Sequence, residues 1–183
     1  TLLPAHQRTL DVGYRVRPAP YWLGRRALVK QELAERLGPA ARRRGLRVDV
    51  RCESGEGLLE DRWYRFLAGC RTVLGCEGGS SVHDPDGRVC ASVRAYLERR
   101  PQASFDEVEQ ACFPGKDGTL GLFVLSPRHL EACLTRTCQV LVEGEYSGVL
   151  QPGRHYIALA QDFSNLEEVL GQVGDVERCE RIA

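Results

Sequence analysis

Residues 126–131 combine an anion-binding element with a carboxylate one helical turn further along. Ser126 is a favourable N-cap residue and Pro127 a favourable first helical residue, so we predict that a helix begins here. The free backbone N–H groups of a helix N-terminus bind anions, and Arg128 places a cation beside them. Glu131 follows about one turn later and is able to accept hydrogen bonds from hydroxyl groups. This helix end is therefore suited to a ligand that carries both a phosphate and a sugar.

The sequence predicts strands that alternate with helices, and these elements must position this helix. Alternating or apolar runs predict strands, and stripes of apolar residues at helical spacing, capping residues and glycine stops predict helices. The expected strands are 9–14, 46–52, 72–76, 120–125, 139–142 and 156–159, and the expected helices are 23–44, a short one around 63–67, 89–98, and four opened by Ser104, Ser126, Ser164 and Asp175. This order favours an α/β fold with a Rossmann-like parallel sheet and helices on both faces.

Ligands of such sheets bind at the carboxyl ends of the strands. We expect these ends to be the loops after Tyr14, Cys76, Leu125 and Val142, and the second of them continues into Glu77-Gly78-Gly79-Ser80-Ser81. Neither a dinucleotide-binding glycine fingerprint nor a Walker-type phosphate loop occurs, which argues against NAD binding and ATP hydrolysis. His83 and Asp84 belong to a turn sequence, so we expect no metal there.

The amino-acid composition limits which classes of protein and which locations remain possible. The 183 residues suit one domain and have a net charge of zero, but residues 1–51 hold twelve Arg and Lys against four Asp and Glu. The arginines at 42–44 lack interleaved aromatic residues, so we do not expect nucleic-acid binding. Eight cysteines without a C-x-x-C pair indicate free thiols in a reducing compartment, the cytoplasm, and no apolar run is long enough to span a membrane. Because the chain lacks methionine, we expect residues 1–183 to be one domain of a longer protein.

Six segments in order resemble the carboxyl-terminal domain of bacterial GT-B glycosyltransferases, in the broad family 1/4-like group. They are residues 11–15 (DVGYR), 20–25 (PYWLGR), 63–67 (WYRFL), 77–81 (EGGSS), 126–131 (SPRHLE) and 143–148 (EGEYSG). Each is short, but together they cover the chain from about residue 9 to its end. The resemblance implies half of a GT-B fold that binds a nucleotide-sugar donor, while an amino-terminal domain, which this chain lacks, binds the acceptor.

The resemblance also implies roles for individual residues. Glu131 matches the second glutamate of the family's E-x7-E element, which contacts the ribose, whereas the first glutamate is replaced by Phe123. Gly13 and Arg15 match the family's glycine and arginine that face the pyrophosphate. For the family's lysine, Arg25 is preferred over Lys30 because it lies nearer the expected helix start. The segment of Glu77, Gly78, Gly79 and Ser80 is expected near the transferred sugar, and Ser126 and Arg128 near the phosphates.

The resulting expectation is a nucleotide-sugar-dependent glycosyltransferase domain that needs no metal or other cofactor and is inactive alone. No sequence pattern identifies a catalytic base or the acceptor. Two alternatives remain open at this point. One is a non-catalytic GT-B-like interaction module that has lost donor binding and docks through the basic helix 24–44, which the replacement at Phe123 favours. The other is half of a sugar-nucleotide epimerase.

Overall fold

The computed structural model describes residues 2–55 and 57–183. Its strands are β1 (Leu10–Val16), β2 (Val48–Cys52), β3 (Cys70–Gly75), β4 (Gly78–Ser80), β5 (Leu122–Val124), β6 (Cys138–Val142) and β7 (Ile157–Leu159). Its helices are α1 (Val29–Arg43), α2 (Glu60–Gly69), α3 (Arg88–Arg99), α4 (Phe105–Cys112), α5 (Pro127–Leu134), α6 (Leu166–Gly174) and α7 (Val176–Ile182). Short 3₁₀ turns occupy Ala5–Gln7, Tyr21–Leu23, Arg25–Leu28 and Tyr146–Gly148.

Five strands form one parallel sheet in the order β2-β1-β3-β6-β7. The predicted Rossmann-like α/β fold with helices on both faces is confirmed. After β2 the chain crosses back over β1 to add β3 on the other side, so the direction of winding reverses between β1 and β3. In doubly wound sheets such a switch point opens a crevice between the loops that leave the two strands in opposite directions.

Different helices pack on the two faces of the sheet. Helices α1, α6 and α7 cover one face, where Leu33 and Leu37 of α1 are fully buried against strand residues such as Val12 and Val140. Helices α2 and α5 cover the other face and bury Leu67 and Ala132. This second layer approaches the strands closely: a Cβ added at Gly75 would lie 2.8 Å from Leu141 Cδ2 and 2.9 Å from His129 Cε1. A glycine at this position therefore lets α5 pack directly on β3.

Residues 78–125 form an insertion between β3 and α5 that departs from the predicted strand order. Its strands β4 and β5 pair with each other antiparallel and lie outside the parallel sheet. The predicted loop at Glu77–Ser81 is thus partly a strand, and the predicted strand 120–125 does not contribute a carboxyl end to the main sheet. Each of these two strands has three residues, all of them at least partly exposed, which suits an edge ribbon, whereas the sheet strands β3 and β6 are buried throughout. Helices α3 and α4 complete the insertion around their own apolar cluster, which includes Phe105 and Phe113.

Helix boundaries follow the capping signals in part. The capping box of Ser104 and Glu107, the cap at Asp175 and the stop at Gly45 are confirmed. The prediction for Ser164 is wrong because α6 begins after Asn165, whose side chain bonds the backbone at Ala160 and Ala158. The helix predicted from residue 23 begins at Val29, since Gly24 adopts φ 87° and residues 25–28 form a 3₁₀ turn.

Candidate functional site

A cavity of about 790 Å³ opens at the switch point between β1 and β3. It is bounded by the carboxyl ends of β1, β2 and β3, the segment that follows β2, the start of α1, helix α2 and the first turn of α5. Its volume lies in the range typical of small-molecule sites. Because the position is set by the winding of the sheet, the cavity is the candidate binding site of this fold.

The rim of the cavity is cationic. Among the described lining residues, five carry positive charges and one carries a negative charge: Arg15, Arg17, Lys30, Arg51, Arg128 and Glu53. Asp49 lies behind this rim and pairs with the guanidinium groups of Arg15 and Arg51. Burial raises the pKa of Asp49, but the hydrogen bonds and charges of Arg15 and Arg51 outweigh burial and hold the pKa below its usual range. In the described part of the chain, Arg17, Lys30 and Arg128 form no ion pair.

An aromatic wall lies behind two of these cations. The rings of Trp63 and Phe66 in α2 stack with their centroids 5.8 Å apart. The Arg15 guanidinium lies 4.5 Å from the centroid of Phe66, and that of Arg128 lies 4.9 Å from the centroid of Trp63. Cation–aromatic contacts of this kind orient both partners, so the wall holds the two guanidinium groups at the cavity.

The first turn of α5 meets the end of β1 at the cavity mouth. Pro127 is the first helical residue, as predicted, and Ser126 occupies the N-cap position. The Arg128 side chain donates a hydrogen bond to the carbonyl oxygen of Arg15. Pro127 has no backbone N–H, and the N–H of His129 donates to the carbonyl oxygen of Ser126 at 3.0 Å. The Arg128 side chain and the positive end of the helix dipole therefore supply the potential that favours an anionic ligand here.

The inner wall of the cavity carries two buried polar side chains. His129 and Gln139 are 3% and 2% exposed, and His129 Nδ1 lies 3.0 Å from Gln139 Oε1. His129 Nε2 lies 3.3 Å from the carbonyl oxygen of Cys76. Burial lowers the pKa of His129 more than these hydrogen bonds raise it, so the neutral imidazole is favoured. Burial also raises the pKa of the neighbouring Cys76 thiol to about 11 and keeps it protonated.

The structure brings half of the ten predicted site residues to this cavity. Gly13, Arg15, Gly78, Ser126 and Arg128 line it. Arg25 instead pairs with Asp106 of α4 and stacks on Phe105, while Lys30, the less favoured lysine candidate, lines the cavity. The later start of α1 explains the exchange, because Lys30 rather than Arg25 lies in its first turn.

The other predicted residues have contacts within the protein. Glu77 accepts a hydrogen bond from the backbone N–H of Tyr146 at 2.8 Å, and its side chain is 6% exposed. Gly79 belongs to the β4–β5 ribbon, and Ser80 Oγ donates to the Leu23 carbonyl oxygen at 3.1 Å. Glu131 Oε2 accepts a hydrogen bond from the Trp63 indole at 2.7 Å. Glu131 therefore orients the aromatic wall from outside the cavity.

Several lining residues were not predicted from the sequence. Glu53, Leu58 and Leu59 come from the segment after β2, which was not among the expected ligand loops. From the sequence, Gln139 is predicted only as part of an apolar strand. Both groups could have been found. The segment after β2 follows a strand that ends at the same sheet edge as β1. Gln139 is the one strongly polar residue in the buried run 138–142.

Within residues 2–55 and 57–183, no group of three or more His, Cys, Asp or Glu side chains is arranged to hold a metal ion. No helix in the same ranges is both long and apolar enough to cross a membrane. All eight cysteines lie in the described ranges as free thiols, and Cys70, Cys138 and Cys179 are buried.

Comparison with models of known protein families, with curated proteins and with solved structures finds no match to this chain.

Proposed function

We propose that this chain is the donor-binding domain of a bacterial GT-B glycosyltransferase, which holds a nucleotide sugar for transfer to an acceptor. The observation that carries the proposal is the cavity at the β1/β3 switch point with its cationic rim. Three cations there, Arg17, Lys30 and Arg128, form no ion pair with the described residues, which suits a pyrophosphate. Nucleotide-sugar chemistry requires stabilisation of that leaving group, and cations with a helix N-terminus provide it without a metal ion.

The same proposal assigns roles to the contacts around the cavity. Arg128, Lys30 and Arg17 neutralise the phosphates, and Arg15 supports them through its stacking on Phe66. Glu131 acts through Trp63 in this arrangement, because its carboxylate is already bonded to the indole. The acceptor and its amino-terminal binding domain belong to a longer protein in this proposal, so the chain alone binds donor but transfers little. Free thiols favour a reducing compartment, and we propose the cytoplasm.

Calorimetry with UDP, GDP and TDP and their hexose conjugates tests the proposal. We expect at least one of these ligands to bind, and Lys30→Ala to weaken its binding about tenfold, since a charge-assisted contact contributes roughly 1.5–3 kcal/mol. Arg88→Ala is the matched control, because Arg88 is exposed, lies outside the cavity and pairs with Asp86, two residues away. Absence of binding by every ligand, or equal affinities of Lys30→Ala and the wild type, would contradict the proposal.

A non-catalytic interaction module is the second candidate. The ring of Phe123, at the position of the family's first glutamate, lies 4.0 Å from the guanidinium of Arg26, so this position supplies no carboxylate. Arg42 and Arg43 at the end of α1 are exposed, whereas Arg44 pairs with Glu167 at 2.7 Å. Partner capture that is lost when Arg42 and Arg43 are changed to Glu, by a protein with no nucleotide affinity, would favour this candidate over the first.

A further inference from the structure

The cavity extends from its cationic rim down between the sheet and the second helix layer. Its lining residues on β3 run from Cys76 at the strand end to Val73, three residues below. At about 3.3 Å per residue this depth is about 10 Å. On β6, Gln139 stands opposite Val73 in the sheet register. We call the deep part bounded by Phe66, Leu67, Val73, His129 and Gln139 the inner chamber.

The inner chamber differs chemically from the rim. Phe66, Leu67 and Val73 give it apolar walls, whereas His129 and Gln139 supply polar side chains on one side only. A hexose carries hydroxyl groups around its whole ring, and each would need a partner after leaving water. A planar heteroaromatic ring presents two apolar faces and a polar edge. The chamber therefore matches the base of a nucleotide better than its sugar.

Gln139 holds unused hydrogen-bonding capacity at this polar side. Its Oε1 faces His129 Nδ1 at 3.0 Å, and its Nε2 has only the thiol sulfur of Cys133 at 3.6 Å as a partner in the described structure. A thiol is a weak acceptor, and a primary amide has two N–H donors and two lone pairs. In either orientation of the amide, one donor and one acceptor remain for another molecule. The side chain is 2% exposed, so water does not satisfy them freely.

We propose that Gln139 determines the base specificity of this domain by pairing with the edge of a nucleobase in the inner chamber, with His129 as the positioning residue that holds the amide. The inference rests on the proposed nucleotide-sugar function and names a subsite within the same cavity. An amide presents a donor and an acceptor side by side, which is the pattern carried by base edges. Phe66, which bounds the chamber, gives it one aromatic wall.

The test uses uridine, cytidine, guanosine and adenosine diphosphates together with inorganic pyrophosphate, measured by calorimetry. We expect the wild type to prefer one base by about tenfold or more, as for sites that read a hydrogen-bonding edge. Gln139→Met keeps a similar side-chain length without the amide, and it is expected to lose most of that preference while binding pyrophosphate as before. His129→Phe is expected to reduce base preference more than pyrophosphate affinity. Cys133→Ala is the matched control, because it removes only the weak sulfur contact at an exposed position.

A second measurement needs no variant. The wild type is titrated with a diphosphate of its preferred base that carries a methyl group on the hydrogen-bonding edge, and we expect about a tenfold loss of affinity. Equal affinity for the methylated ligand, or a base preference that is unchanged in Gln139→Met, would overturn the base subsite while leaving nucleotide binding intact. A wild type that binds all four bases equally overturns it too. Failure of every nucleotide to bind would instead overturn the proposed function together with this inference.

Discussion

The two ends of the parallel sheet both carry cationic side chains, but they differ in how far protein groups satisfy them. Arg8 is 2% exposed and donates to the carbonyl oxygens of Cys70 and Thr135, each at 2.8 Å, and to Thr137 Oγ1 at 2.7 Å. At the carboxyl end, Arg17 and Lys30 line a cavity and form no ion pair with described residues. The charge of Arg8 is thus satisfied within the chain, whereas Arg17 and Lys30 remain available to a ligand.

Asp11 is the centre of the amino-end network. Asp11 is 6% exposed, and its carboxylate pairs with Arg47 at 2.7 Å and with Arg71, itself 8% exposed, at 3.1 Å. Burial raises the pKa of Asp11, but the hydrogen bonds of Arg47 and the charge of Arg71 outweigh it and lower the pKa below its ordinary value. The contrast with the cavity predicts large stability effects at this end and large affinity effects at the other.

The largest expected effect is therefore that of Asp11→Asn. Removing the charge leaves Arg71 buried without its counter-ion, and we expect the free energy of unfolding to fall by about 3 kcal/mol. Asp86→Asn is the control, since Asp86 and Arg88 form an exposed pair with a contribution within about 0.5 kcal/mol. Urea denaturation measures both. Similar losses in the two variants would show that the amino-end network does not stabilise the fold.

Gly75→Ala tests packing between the sheet and α5 beneath the cavity. The added methyl group would press on Leu141 and His129, which are both buried. Overpacking of this kind costs about 1–3 kcal/mol. A methyl group at Gly121 meets open space, so Gly121→Ala should change the free energy of unfolding by less than about 0.5 kcal/mol. Thermal denaturation compares the two. Equal stabilities would contradict the close approach of α5 to β3.

The sheet itself was largely predictable from the sequence. Apolar strands such as 72–76 and 139–142 alternate with helices that have clear stripes, and this pattern leaves little choice of fold class. The strand at 120–125 was misassigned because a short apolar run does not tell whether its partner is the main sheet or a separate ribbon. That information lies in long-range pairing with Gly78–Ser80.

The site was predictable only where it depends on local signals. Ser126, Pro127 and Arg128 were identified because a helix start has a sequence signature. The exchange of Arg25 for Lys30 follows from a glycine conformation at residue 24 that moves the start of α1. The bond between Glu131 and Trp63 joins residues 68 positions apart, and a single sequence carries no signal for it.

Removing cations from the rim should leave stability unchanged or raise it slightly. The double variant Arg17→Gln and Lys30→Gln relieves like-charge repulsion around the cavity, and we expect the free energy of unfolding to rise by about 0.5 kcal/mol at low salt. The gain should vanish at about 1 M salt, where the Debye length is about 3 Å. Pyrophosphate should stabilise the wild type more than the double variant. A double variant that is less stable than the wild type at both salt concentrations would show that these cations stabilise the fold, as the amino-end arginines do.

A pH dependence of stability is also expected at the inner wall of the cavity. Because burial lowers the pKa of His129, the unfolded chain binds a proton at this residue more readily than the folded protein does. Its contribution to stability is thus complete above the unfolded pKa of about 6.5 and declines as the pH falls below it, by at most about 1.4 kcal/mol per pH unit. Asp11 and Asp49, whose pKa values are lowered, lose their contributions only near and below about pH 4. Urea denaturation between pH 7.5 and 5 should therefore show a slope that His129→Asn removes and that His83→Asn, at an exposed position, retains. A slope that persists in His129→Asn would place the responsible group elsewhere in the molecule.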